Sequence, residues 1–185
     1  MAEYNLTEKI RPLEALIIDV DGVLTPGGIW YSDEGDQLKR FDVKDGLGLV
    51  ALGELGMKLG IITGKTSKIL EKRASELRVD ALFQNRPNKI PTYRELRDSW
   101  ELRDEQIAMA GDDVIDIPLF DVCGFSVSPA DGAPAARRAA DWVTRAPGGK
   151  GALREICEII ISAKTGIYPP DEFLMKWTRN LPKNR

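Results

Sequence analysis

Short apolar runs that stop at a polar residue recur along this chain, and segments of helical spacing separate them. Leu16-Ile17-Ile18 stops at Asp19, and Leu59-Gly60-Ile61-Ile62 stops at Thr63. Residues 81–83 form a third run; residues 106–110 form a fourth, which ends in Gly111-Asp112-Asp113. Runs of this length, bounded by turn residues, predict buried strands. Residues 124–127 predict a fifth strand and 142–144 an edge strand. Between them, residues 45–57 place Leu47, Val50, Ala51 and Leu55 on one helical face. Helices are also expected at 67–77, from Pro91 through Tyr93, Leu96 and Trp100, at 116–120, at 133–140 and at 149–163. The last carries Leu153, Ile156, Cys157 and Ile160. After the first strand, Thr25-Pro26-Gly27-Gly28 turns the chain into a β-hairpin at about 29–43, built on Ile29-Trp30-Tyr31 and 38–43.

Strands that alternate with helices predict an α/β fold with a mainly parallel sheet. Residues 1–165 form one domain in this reading. Residues 166–185, with Pro169, Pro170 and Pro182, read as a C-terminal tail or arm. The gaps after the first and second strands are too short for a cap domain. In such sheets, sites form outside the carboxyl ends of the strands. Asp19, Thr63 and Asp112-Asp113 occupy three of those ends, and Lys89 lies in the loop after the third strand. All are expected on one rim.

Composition narrows what that rim can do. The chain of 185 residues contains no histidine. A Ser-His-Asp triad, a His-ligated zinc site and an imidazole base are therefore excluded. Lys plus Arg is 26 and Asp plus Glu is 29, a formal net charge of −3. No basic excess or stripe points to nucleic acid. Cys123 and Cys157 stand alone among apolar neighbours, too few for a four-cysteine metal site. Neither has the Arg six positions on that a cysteine-based phosphatase uses; Pro129 and Ala163 stand there. No apolar run approaches the roughly 18 residues of a membrane span. The first residues lack the basic and apolar regions of a signal peptide, so the expected location is the cytoplasm.

Asp19 and Asp21 flank Val20, and Gly22 allows a sharp turn after them. Carboxylates this close repel unless a cation sits between them or one holds a proton. Asp112, Asp113 and Asp116 enlarge the cluster. A hard, oxygen-seeking cation relieves the repulsion, and Mg²⁺ suits few carboxylates plus phosphate oxygens. Thr63 adds a hydroxyl and Lys89 a positive charge. A metal, a lysine and a hydroxyl converging beside a carboxylate suit phosphoryl transfer. One carboxylate can serve as nucleophile and a second as proton donor and acceptor.

The run 16–25, Leu-Ile-Ile-Asp-Val-Asp-Gly-Val-Leu-Thr, resembles the first motif of the haloacid dehalogenase superfamily of phosphohydrolases. Thr63, Lys89 and the run 111–116 match its second, third and fourth motifs. The resemblance implies a Rossmann-like, doubly wound sheet. It makes Asp19 the nucleophile and Asp21 the acid/base. Asp19, the Asp21 backbone carbonyl and Asp112 would bind Mg²⁺, and Thr63 and Lys89 would hold the phosphoryl group. Asp113 and Asp116 would support the metal or Lys89. The runs 30–35, 41–46 and 144–155 further resemble the small capless subfamily acting on 3-deoxy-D-manno-octulosonate 8-phosphate. That subfamily implies a small anionic sugar-acid phosphate as substrate and a homotetramer. In it the hairpin helps build the assembly, and the Gly-rich stretch near 148–151 reaches a neighbour's site.

Two positions depart from the pattern. Thr63-Gly64-Lys65 replaces the usual Thr-Gly-Arg, and Gln84-Asn85 replaces Gln-Gly. Lysine keeps the charge but loses the bidentate fork. A sialic acid 9-phosphate, or a related nine-carbon acid phosphate, is the alternative substrate. Gly64, Lys65, Lys44, Arg73, Arg86 and Lys150 are the candidate substrate contacts. Other classes fit less well. A receiver domain needs its Asp at the third strand, which here ends Phe83-Gln84-Asn85. A non-catalytic regulatory relative would lack a motif residue, and none is missing. Gly46-Leu47-Gly48 follows a hairpin and not a first strand, so it is no dinucleotide loop.

Overall fold

The computed structural model describes residues 2–34 and 37–180, so the hairpin tip at Gly35 and Asp36 and the end of the expected tail, with Pro182, lie outside the described residues. In chain order the elements begin with α1 (Ala2–Ile10), β1 (Ala15–Ile18), β2 (Trp30–Tyr31), β3 (Gln37–Leu38), α2 (Val43–Glu54) and β4 (Lys58–Ile62). Then come α3 (Lys68–Glu76), β5 (Ala81–Phe83), α4 (Ile90–Ser99), β6 (Ile107–Ala110), α5 (Ile117–Phe120) and β7 (Phe125–Ser128). The chain continues through α6 (Pro134–Ala139), β8 (Trp142–Val143), α7 (Ala152–Thr165) and α8 (Pro170–Arg179).

Six strands form one sheet in the order β5-β4-β1-β6-β7-β8, and every neighbouring pair is parallel. The chain leaves β1 towards β4 and β5, then crosses back to β6 on the other side. The direction of winding therefore switches at β1, where ligand crevices form in such sheets.

The pleat sorts the core. Leu16 and Ile18 of β1 face one cluster, while Ala15 and Ile17 face the other. The first cluster is closed by Leu49 and Leu52 of α2, Leu70 of α3, and Leu153, Ile156 and Ile160 of α7. The second is closed by Tyr93 and Leu96 of α4 and by Leu119 and Phe120 of α5. Each fully buried side chain of this kind contributes roughly 1.5–3 kcal/mol. Helix starts follow local chemistry. Asp42 caps α2 by accepting the Lys44 and Asp45 amides, and Ser67 caps α3 by accepting the Leu70 amide.

The hairpin is smaller than expected. β2 and β3 pair over Trp30–Leu38 and Tyr31–Gln37, and the chain from Lys39 onward leaves the ladder. Two helices lie outside the sequence expectation. α1 lays Leu6 and Ile10 on the first core cluster. α8 occupies the stretch read as an arm and seats Leu174, Phe173 and Trp177 on the same cluster. None of the described helices is long and apolar enough to cross a membrane.

Candidate active site

The strand ladders carry the chemistry to the rim. One bond beyond β1, the Asp19 amide donates to the Ala110 carbonyl at 2.9 Å. One bond beyond β4, the Thr63 amide donates to the Phe83 carbonyl at 2.9 Å, and the Gly111 amide donates to the Val127 carbonyl at 3.0 Å. Asp19, Thr63 and Asp112 therefore leave adjacent strands at the same level, as their place after the apolar runs predicted.

Gly22 brings the first and fourth segments together. Its φ is +99°, a conformation side chains rarely adopt, and a Cβ there would lie 2.0 Å from Asp112 Oδ2. Only glycine lets the Asp112 carboxylate approach the 20–25 turn this closely. Asp19, Asp112 and Asp116 form a group whose ligand oxygens lie within 4.8 Å of one another.

Lys89 is the counter-charge. Its side chain is wholly buried, with Nζ 2.5 Å from Asp19 Oδ1 and 2.6 Å from Asp116 Oδ1. Asp116 is itself fully occupied, because its Oδ2 accepts the Asp112 and Asp113 amides at 3.0 and 3.3 Å. It thus fixes both Lys89 and the Asp112 loop. Asp113 plays no such part. Its carboxylate is exposed and accepts the Val114 amide at 2.7 Å. Of the two supporting aspartates expected from sequence, the structure brings only Asp116 to the lysine.

Burial pushes the Asp19 carboxyl up to about 6, against the lowering by Lys89 and with a further rise from Asp116. Burial, followed by the charges of Asp19 and Asp116, pushes Asp112 up to about 7. Burial alone would lower Lys89, but the two aspartates outweigh it and raise it above its usual value. The cluster therefore carries more negative charge than one lysine can neutralise.

Asp21 stands outside the three-carboxylate group. Its Oδ1 lies 2.5 Å from Lys39 Nζ and its Oδ2 lies 3.6 Å from Lys65 Nζ. The Thr63 hydroxyl oxygen accepts the Lys65 amide at 3.4 Å. Lys65, half-exposed, is the one candidate substrate contact whose charged group the structure places beside a motif carboxylate. Gly64 is half-buried next to it. Arg73 donates to the Asp42 carbonyl, pairs with Glu76 and lies over the Phe41 ring, so it joins α3 to the start of α2. Arg86 folds back on the Gln84 and Asn85 carbonyls. Lys44 and Lys150 are exposed in the first turn of α2 and in the loop before α7.

Asn85 has φ +56°, in the left-handed region. Asparagine is among the few residues that tolerate this conformation. The backbone therefore accommodates the exchange of the usual glycine.

The Gly-rich stretch belongs to its own chain's site. Gly149 donates to the Val23 carbonyl at 2.8 Å, and a Cβ on Gly148 would lie 1.7 Å from the Gly22 carbonyl oxygen. Backbone packing at this distance holds the stretch against the 20–25 turn of its own chain. Asp45, fully buried, anchors it by accepting the Gly151 and Arg154 amides at 3.2 and 2.7 Å. Sequence reading missed Lys39 and the anchoring role of Asp45, while it placed Asp116 in support of Lys89, where the structure has it.

The comparisons agree with the geometry. Residues 62–156 match the model of the haloacid dehalogenase-like hydrolases. The chain is 39% identical over 160 residues, 86% of each chain, to the 3-deoxy-D-manno-octulosonate 8-phosphate phosphatase of Yersinia pestis. This chain belongs to the haloacid dehalogenase-like hydrolases. Among solved members of the family, the phosphatase of that name from Moraxella catarrhalis, in complex with magnesium, phosphate and KDO, superposes with a TM-score of 0.88 at 34% identity. That match covers 94% of this chain and 98% of the other. The cobalt-bound enzyme of Haemophilus influenzae gives 0.84 at 32% identity, covering 90% and 99%. The α/β sheet, with its hairpin after β1, is the fold of this family, and the protein is a phosphatase of it.

Proposed function

We propose that this phosphatase hydrolyses 3-deoxy-D-manno-octulosonate 8-phosphate to the free sugar acid and inorganic phosphate, in the cytoplasm and with Mg²⁺ as cofactor. The observation that carries the reading is the buried Lys89 between Asp19 and Asp116, with Asp112 alongside. An all-carboxylate donor set with excess negative charge fits a hard divalent cation. Asp19, Asp112 and the Asp21 backbone carbonyl would hold it. Bound there, Mg²⁺ supplies charge neutralisation for the phosphoryl oxygens.

Asp19 attacks phosphorus through a carboxylate oxygen while the bond to the sugar oxygen breaks. Asp21 gives its proton to that departing oxygen. The now ionised Asp21 then takes a proton from water as the water oxygen attacks phosphorus. The bond to Asp19 breaks, phosphate leaves and Asp19 returns as a carboxylate. Lys89 holds Asp19 in line, and Thr63 and Lys89 offer donors to the phosphoryl oxygens. No step needs histidine.

The gaps after β1 and β4 leave no room for a cap domain, yet a phosphoryl-enzyme must be shielded from uncontrolled water. The sugar end would therefore be covered from outside the chain. We assign that cover to a homotetramer built on the exposed hairpin, with residues 1–165 as the catalytic unit and 166–185 as its appendage. Sedimentation velocity tests the assembly. The substrate is tested by kcat/KM for this acid phosphate against a sialic acid 9-phosphate on one preparation, with and without chelator. Preference for the nine-carbon substrate overturns the assignment. Asp19→Asn is expected to abolish turnover with the melting curve preserved; near-normal turnover removes Asp19 as nucleophile.

A further inference from the structure

Lys39 follows β3 at the foot of the hairpin, and neither the motif pattern nor the reaction steps above use it. Its side chain is only 7% exposed, with Nζ 2.5 Å from Asp21 Oδ1. Burying an ammonium this far is costly unless it is paired, so the contact is a specific one. The other oxygen of the same carboxylate faces Lys65 at 3.6 Å. Both Asp21 oxygens are thus held from outside the turn that carries them. Trp30, Tyr31 and Leu38 are exposed, and the hairpin's ladder is two residue pairs long. So short a hairpin is marginal by itself.

We propose that Lys39 is a positioning residue, which sets the orientation from which Asp21 exchanges its proton with the leaving oxygen and with water. The proposal rests on the acid/base reading of Asp21. Proton donation depends on alignment, and a misplacement near 1 Å costs on the order of a hundredfold. The need for it depends on the leaving group. A sugar alkoxide must be protonated as it departs, whereas p-nitrophenolate departs without a proton. A positioning role therefore acts on the ratio of the two rates, which a general loss of structure would not change.

The test compares kcat and KM for the sugar-acid phosphate and for p-nitrophenyl phosphate, with saturating Mg²⁺, in the parent, Lys39→Met, Lys39→Arg and Asp21→Asn. In Lys39→Met the sugar-to-aryl ratio of kcat is expected to fall about 10- to 100-fold. Asp21→Asn should lower it at least as far, and Lys39→Arg, which keeps charge and donor, should recover most of it. An unchanged ratio in Lys39→Met beside a reduced one in Asp21→Asn overturns the proposal alone. So does a raised KM for the sugar-acid phosphate with kcat unchanged, which makes Lys39 a substrate contact. An unchanged ratio in Asp21→Asn overturns the acid/base reading, and the proposal with it. If Lys39→Met does not fold, Lys39→Arg decides by itself: a ratio as low as that of Asp21→Asn refutes positioning by charge.

Discussion

Replacing Lys89 by Met keeps the aliphatic stem and removes the charge. Volume-conserving exchanges in a core cost less than about 1.5 kcal/mol, so a larger loss measures electrostatics. The ammonium makes two contacts, at 2.5 and 2.6 Å, with partners at most 7% exposed. Bonds to charged groups contribute about 1.5–3 kcal/mol each. Breaking a buried pair costs about 3–5 kcal/mol, because the remaining charge has no partner. Here three carboxylates are left together. In chelator at pH 8, Lys89→Met is therefore expected to lose about 3–5 kcal/mol, or roughly 10 °C in Tm for a chain of 185 residues. The loss has a predicted pH dependence. Asp19 and Asp112 sit near 6 and 7 in the folded protein, above their ordinary 3.8. Between about pH 4 and 7 the folded state thus binds more protons than the unfolded state, and stability falls as pH rises. Removing Lys89 raises these carboxyls further and steepens the fall. Urea titrations at pH 5.5 and 8, in chelator, read the difference directly. A loss of equal size at both pH values, or one below about 1 kcal/mol at pH 8, would refute the view that Lys89 neutralises the cluster.

Three further outcomes follow from the same geometry. Mg²⁺ should raise the melting temperature more at pH 8 than at pH 5.5, because protons on Asp19 and Asp112 compete with the ion; calorimetric scans with a magnesium series check this, and equal shifts contradict it. Gly148→Ala should abolish activity or folding through the Gly22 carbonyl, while Gly53→Ala, whose Cβ would meet only Leu59 Cδ1 at 3.8 Å, should be neutral or stabilising by up to about 1 kcal/mol; paired melts and activity assays separate them. Asp45→Ala should cost about 1–3 kcal/mol, since two partly buried amides at the start of α7 lose their acceptor; unchanged denaturant midpoints would show that water replaces it.

The rim was legible because it depends on local pattern. Each apolar run must end where the sheet ends, so Asp19, Thr63 and Asp112 fall at one level whatever the loops do. α1 and α8 were not legible for the converse reason. α1 offers Leu6 and Ile10 as its inward residues, too few for a periodic signal. In α8, the two prolines at 169–170 masked the Phe173, Leu174 and Trp177 face. Packing against a finished core, not propensity, makes such helices stable.

Charge pairing was legible only as far as sequence neighbourhood reaches. Asp113 and Asp116 look alike in a string of letters. The turn that follows separates them, because the Asp116 amide bonds to the Asp113 carbonyl at 2.9 Å and carries the Asp116 side chain inward. There it meets Lys89, 27 positions away. Lys39 is harder still to foresee. Its partner is 18 positions away across a hairpin whose register depends on a two-pair ladder. Lys39 lies just past that ladder, so its reach to Asp21 depends on where β3 ends. A site whose acid/base residue also docks the adjoining insertion ties proton transfer to the hairpin's placement, which is why the two should fail together when Lys39 is removed.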